Sequence, residues 1–275
     1  MHDFPPEMHL PKPRPVVGWA GGKARLCKYL LPLIKPHTCY VEVFGGGLAL
    51  MLSKPPSQVE VINDVNGDLV SFYRNCKLHL EAILDELDFV LNSRREFEDY
   101  IEQPGLTEIQ RAARWFIRNK LSFAGSGDHF AITRTTPHSS RENRILAMRS
   151  LSRRLDRTTI ENRSWEKLFS AYDHEETLFF LDPPYPEAGV TYGGWDEVTV
   201  ARFCNAVRDL QGQWIFTFKD CEQVRDLMHG YTFQTVDRAR GISNNTGSKK
   251  SGRYTEIIIT SDRAKRSGQR KGKSA

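Results

Sequence analysis

The stretch Leu178-Phe179-Phe180-Leu181-Asp182-Pro183-Pro184-Tyr185 constrains this chain more than any other. Four apolar residues run straight into an acid, two prolines and an aromatic. The apolar run reads as a strand buried on both faces, as in a parallel sheet. Neither proline can donate to a sheet ladder, so the strand must stop at Pro183. Asp182 is therefore placed at the carboxyl end of a buried strand, where open α/β sheets bind ligands. Tyr185 follows on a stiff, proline-fixed turn. The same residues also suit an ordinary strand end, since Asp-Pro-Pro is common turn chemistry.

Two glycine-bearing stretches lie far upstream. The first is Val16-Val17-Gly18-Trp19-Ala20-Gly21-Gly22-Lys23. Lys23 is expected to open a helix with Leu26, Leu30 and Leu33 on one face. It is not a phosphate loop, which would need Gly at position 17 and Ser or Thr at 24 where Val17 and Ala24 stand. The second is a strand over Thr38–Phe44 followed by Gly45-Gly46-Gly47 and a short helix from Leu48, the usual seat of a nucleotide-like group. It is not G-x-G-x-x-G, so a dinucleotide is not specifically indicated. A second strand, Val59-Glu60-Val61-Ile62, ends at Asn63-Asp64. An acid on that tip, about twenty residues beyond the glycine turn, can bind ribose hydroxyls. Asp64 can alternatively cap a helix beginning near Gly67.

Composition narrows the class without naming it. At 275 residues the chain can build one large core, or a core with a small insert. No run of about 18 apolar residues occurs, so no membrane span is expected. The N-terminus lacks a secretory pattern. The five cysteines form no C-x-x-C, which points to neither a zinc site nor a disulfide framework. A reduced, cytoplasmic protein is expected. Net charge is only +5, but it is uneven. From Arg111 to Arg163 there are twelve Lys/Arg against four Asp/Glu, and the last residues are again basic. Such clusters fit a polyanion partner. The tail also fits a solvated, disordered end.

From Ser71 to Arg163 the pattern is helical. Thr107-Glu108-Ile109-Gln110 is a capping box opening a helix through Ala113, Phe116, Ile117 and Leu121. A second helix over 141–157 buries Ile145, Met148, Leu151 and Leu155. Its six arginines, Arg141, Arg144, Arg149, Arg153, Arg154 and Arg157, are mostly off that face. The glycine-rich loop Ser122–Phe130 lies between these helices. The basic face reads as a DNA-phosphate surface, or as a merely solvated face. Downstream, a helix over 197–210, a buried strand Trp214–Phe218, a helix near 221–229 and a hairpin of 231–237 with 254–260 complete the pattern.

Taken in order, Trp19-Ala20-Gly21-Gly22-Lys23, Phe44-Gly45-Gly46-Gly47, Asp64-Val65-Asn66 and Asp182-Pro183-Pro184-Tyr185 resemble the motifs of the D12-class (Dam-like) DNA adenine-N6 methyltransferases. The likeness spans residues 16 to 260. It implies an α/β fold: a Rossmann-like S-adenosylmethionine-dependent methyltransferase sheet, mostly parallel with an antiparallel last strand, and an inserted helical target-recognition domain. Residues 1–70 would be the first part of the core, 71–163 the insert, 164–262 the second part, and 263–275 a basic tail.

The resemblance assigns S-adenosylmethionine contacts to Trp19, Lys23, Phe44, Gly45, Gly47, Asp64 and Asp182. Trp19 alternatively reads as a core tryptophan. The catalytic residues would be Asp182, Pro183 and Tyr185. Duplex DNA would be held by Arg134, Arg141 and Arg144 in the insert, and by Arg240, Lys249 and Lys250 in the loop before the last strand. The family's GATC-reading segment, R-x-N-x-x-G-x-F-N-V-P-F-G, is not kept beyond Asn119-Lys120-Leu121-Ser122-Phe123-x-Gly125, so the target site does not carry over. A cognate restriction nuclease would leave no trace in this sequence.

The chemistry is consistent with these residue types. The exocyclic amine of adenine is a poor nucleophile, its lone pair being delocalised into the ring. A carboxylate and a rigid carbonyl can each accept one N–H, which frees that lone pair. A tyrosine stacked on the base contributes about 1–3 kcal/mol. No metal is expected, because a sulfonium is already a strong electrophile. Related motifs also serve methyltransferases of RNA adenine and of protein glutamine. A catalytically inactive DNA-binding relative is a further alternative.

Overall fold

Four short runs become parallel strands: β1 (Cys39–Glu42), β2 (Val59–Asn63), β3 (Thr159–Glu161) and β4 (Thr177–Leu181). The computed structural model describes residues 10–132, 134, 135, 138, 140–185, 195–239 and 253–263. The chain divides into two compact units, Met1–Phe180 and Leu181–Ala275, with the boundary inside β4.

In the first unit the strand order is β3-β2-β1-β4. Registers place Glu42 beside Ile62 on one side and Phe180 on the other. Succession therefore runs outward from β1 through β2 to β3, then returns to the far side of β1 for β4. This reversal is the topological switch point at which open α/β sheets take their ligands. All five residues of β4 are buried, as its continuous apolar run requires. β3 is absent from the sequence-based reading. It is three residues long at the sheet edge and only partly buried, so it carries no apolar signal.

The helices of this unit are α1 (Cys27–Leu30), α2 (Ala49–Ser53), α3 (Gly67–Leu78), α4 (Leu80–Asp88), α5 (Arg94–Glu102), α6 (Glu108–Leu121), α7 (Arg141–Leu155) and α8 (Trp165–Tyr172). Lys23 does not open α1, which starts four residues later. Turns fill the interval, and Gly21 has φ +77°, a conformation that favours glycine. Thr107 caps α6 by accepting from Gln110 N at 3.1 Å. The Gln110 side chain closes on Leu106 N rather than on Thr107. The apolar stripe of α6 faces α3, where Phe116 stacks on Phe72 at 5.1 Å and 3°. The helices expected between residues 71 and 163 are thus present, in one compact unit with β1–β3.

The second unit holds α9 (Glu197–Arg208), α10 (Glu222–Leu227), β5 (Gln213–Lys219), β6 (Tyr231–Ala239) and β7 (Arg253–Arg263). β7 lies between β5 and β6 and is antiparallel to both. The expected terminal hairpin is the β6–β7 pair, somewhat longer than the sequence indicated.

Arginines off the apolar face of α7 are engaged with protein. Arg141 pairs with Asp88, Arg149 makes two hydrogen bonds to Glu81 at 2.6 and 2.9 Å, and the buried Arg144 donates to Asn92. Arg154 reaches the sheet and ion-pairs with Glu60 on β2, which also accepts from Lys54 at 2.6 Å. Glu60 and Lys54 are almost fully buried. Burial pushes the Glu60 carboxyl up, but the Arg154 and Lys54 hydrogen bonds outweigh it and hold Glu60 below the usual glutamate range. A depressed carboxylate contributes stability above its unfolded pKa, and that stability is lost as pH falls through the folded value. Removing Glu60 strands two buried cations, Lys54 and Arg154. Glu60→Ala is therefore expected to lower unfolding free energy by about 3–5 kcal/mol in urea titration at neutral pH. Its stability should also fall less steeply than wild type below pH 5. A neutral-pH change under about 1 kcal/mol would contradict this account.

Candidate active site

The glycine turn after β1 is held from several directions. Gly45 N donates to Asn63 O at 2.7 Å, and Leu48 N closes the turn on Gly45 O at 2.8 Å. A Cβ on Gly45 would sit 2.9 Å from Asn63 O, so only glycine lets the turn lie this close to β2. Gly46 N donates to Asp64 Oδ2 at 2.9 Å, and Tyr73 of α3 donates its hydroxyl to Gly46 O at 2.6 Å. Leu48 is left-handed at φ 57°, an uncommon state for a residue with a side chain. Its side chain is buried, which holds it there.

Asp64 sits at the tip of β2, as the sequence implied. Its other oxygen accepts from Asn66 N at 2.9 Å. The helix cap is Asn66, whose side chain accepts from Leu69 N, so Asp64 is free of the capping role. Burial pushes the Asp64 carboxyl up, against the lowering effect of backbone N–H groups from Asn66, Gly46 and Val65. A carboxylate offers about four lone-pair sites. The backbone N–H groups of Gly46, Asn66 and Val65 do not use all of them, which leaves acceptor capacity for hydroxyls.

The first motif lies against this turn. Trp19 is half-buried, not a core tryptophan. A Cβ on Gly46 would fall 2.5 Å from the Trp19 ring, so the indole rests directly on the glycine backbone. Lys23 is buried, and its ammonium donates to Gly21 O at 2.9 Å. Phe44 is half-buried and Gly47 borders Trp19 and Val17. Sequence reasoning missed Asn63. Its amide donates to Val43 O and Arg163 O and accepts from Arg163 N, tying both strand tips to the segment after β3.

In the second unit, Asp182 accepts from Thr217 Oγ1 of β5 at 2.9 Å through Oδ1. Tyr185 donates its hydroxyl to Glu256 Oε1 of β7 at 2.7 Å, with Asp182 Oδ1 at 3.5 Å. Its ring tilts onto Phe218 with centroids 4.8 Å apart. Thr217 and Glu256 are fully buried. Neither was singled out from sequence, although each interrupts an apolar strand. A charge within Glu256-Ile257-Ile258-Ile259 is the kind of buried polar residue that asks for a partner.

Of the expected DNA contacts, Arg134 is exposed, Arg141 is half-exposed and paired, and Arg144 is buried. Arg240, Lys249, Lys250 and most of the loop after Tyr185 lie outside the described residues, as does the basic tail. Among the described residues no group of His, Cys, Asp and Glu could hold a metal ion. No described helix is long and apolar enough to cross a membrane.

A switch-point glycine turn, an acid on the next strand and an acid-proline-proline-tyrosine run after β4 can be set beside known proteins. The chain is 25% identical to the type II methyltransferase M1.LlaDCHI of Lactococcus lactis subsp. cremoris, over 90% of this chain and 95% of that one. It is 24% identical to the type II methyltransferase M.CviBI of Paramecium bursaria Chlorella virus NC1A, over 79% and 87%. To the DNA adenine methylase of Haemophilus influenzae it is 22% identical, over 85% and 89%. Residues 19–242 match the family described as D12 class N6 adenine-specific DNA methyltransferase. The chain belongs to that family, and is an enzyme that transfers a methyl group from S-adenosylmethionine to N6 of adenine in DNA.

Proposed function

We propose that Asp182 and the Pro183 carbonyl accept the two amine hydrogens of an adenine turned out of duplex DNA, and that Tyr185 stacks on its ring. The observation that carries this is the hydrogen bond from Thr217 to Asp182 Oδ1. It holds the carboxylate in a fixed orientation at the end of β4, as an acceptor for the amine would have to be held. Extruding the base costs about a few kcal/mol. Glu256 anchors the Tyr185 hydroxyl, and Phe218 supports the ring.

The residues of the first unit fit S-adenosylmethionine. A glycine turn at the switch point allows close backbone approach, Asp64 retains acceptor capacity for ribose hydroxyls, and Trp19, Lys23, Phe44, Gly45 and Gly47 border the turn. When bound, the group supplies an electrophilic methyl on a sulfonium. Asp182 would also accept from the methionine ammonium. We assign target recognition to the helices between residues 71 and 163 and to the loop Ser122–Phe130. Arg134 and Arg141 are the phosphate contacts of the insert. Arg144 would need to leave Asn92 to join them. Arg240, Lys249 and Lys250 would form a second contact. The type II designation of two relatives favours a partner restriction nuclease. All five cysteines are unpaired, in keeping with a cytoplasmic setting.

Labelled cofactor and duplex DNA test the reading. Label should appear on N6-methyladenine; label on RNA or protein instead, or retention of DNA without label, would favour the alternatives. Asp182→Ala should abolish transfer while leaving DNA retention largely intact, and normal turnover would overturn its role. Thr217→Val keeps shape but removes one hydrogen bond to a charged group, worth about 1.5–3 kcal/mol. Its kcat should fall roughly ten- to a hundredfold with KM for DNA little changed. An unchanged kcat would remove Thr217 from the mechanism.

A further inference from the structure

The side chain of Asn119 joins two loops that the sequence keeps about a hundred residues apart. It lies near the end of α6 and is 3% exposed. Its Oδ1 accepts from Gly18 N at 2.8 Å. Its Nδ2 donates to Gly18 O at 2.8 Å and to Gly125 O at 2.9 Å. Both amide hydrogens and the carbonyl oxygen are thus used. A buried amide is tolerated only when satisfied in this way.

The two backbones are also in direct contact. Gly125 has φ +76°, and a Cβ on it would fall 2.3 Å from Gly18 O. Nothing but glycine fits there. On the far side, Gly18 is followed by Trp19, whose ring rests on Gly46, which is bonded to Asp64. On the near side, Gly125 ends the turn Phe123–Gly125, and Phe123 is partly exposed. That loop is itself well braced. Ser122 Oγ donates to Asn119 O and accepts from Gly127 N, and Arg118 donates twice to Gly127 O. A push on the loop is therefore passed to Gly18 instead of being absorbed locally.

We infer that Asn119 is a positioning residue that couples DNA binding to cofactor binding, by fixing the loop Ser122–Phe130 to the segment that presents Trp19. The inference rests on the roles proposed above for that loop and for Trp19. Coupling of this kind is reciprocal: what tightens one ligand tightens the other by the same factor. Helix capping does not account for the residue, since its bonds go to Gly18 and Gly125 and not to its own helix end.

The test uses the full chain and a fluorescent duplex carrying its methylation site. DNA affinity is measured with and without saturating S-adenosylhomocysteine, which cannot react. Wild type should bind DNA at least about fivefold tighter with the nucleoside present, the lower end of ordinary coupling. In Asn119→Ala the ratio should fall below about twofold, with both ligands still bound. Gly125→Ala breaks the same contact from the other loop and should give the same collapse, which covers the case in which Asn119→Ala fails to fold. A ratio near one in wild type, or a ratio kept in a folded variant, would overturn the inference. Trp19→Ala separates the two layers. If it leaves S-adenosylhomocysteine affinity unchanged, the assignment of Trp19 to the cofactor fails. If it weakens that affinity while Asn119→Ala keeps the ratio, only the coupling fails.

Discussion

The carboxylate of Asp64 accepts one backbone N–H from Gly46 and another from Asn66, and so holds the glycine turn after β1 against the tip of β2. Without a fixed acceptor there, Gly46 N would be a buried donor with no partner, and the turn would keep to β2 mainly through Gly45 N on Asn63 O. Other contacts of the turn converge on the same glycine and its neighbours. Tyr73 reaches Gly46 O from α3, Trp19 rests on the Gly46 backbone, and Leu48 is kept left-handed with its side chain in the core. The region proposed for the cofactor is thus an arrangement of backbone groups tied down by a few buried side chains, which is why glycine recurs in it.

The second unit uses a different device for the same end. Asp182 and Tyr185 follow a strand that prolines terminate, and each is then held by a side chain of this unit, Thr217 on β5 and Glu256 on β7. The acid is positioned by a hydroxyl donor and the aromatic by a buried carboxyl group.

What the sequence made legible were the features that interrupt a pattern. Pro183 and Pro184 stop β4, the glycines break the run after β1, and the apolar periods of α6 and α7 mark their buried faces. β3 stayed hidden because a short edge strand needs no apolar run. Thr217, Glu256, Asn63 and Asn119 stayed hidden because their partners come from distant segments, and a lone polar residue does not say where its partner is. The arginines of α7 were legible as charge but not as contacts. Arg154 belongs to a buried pair with Glu60, and Arg149 to a pair with Glu81, so charge counted along a helix overstates what is left for DNA.

The central claim is that Asp182 and the Pro183 carbonyl together hold the amine of an adenine removed from the duplex. A crystal structure of the enzyme with S-adenosylhomocysteine and a duplex containing its methylation site measures this directly. The account requires adenine N6 within hydrogen-bond distance of Asp182 Oδ2 and Pro183 O, with Thr217 still on Oδ1 and the base stacked on Tyr185. An adenine left in the helix, or an extruded base whose amine meets other groups while Asp182 faces away, would contradict it.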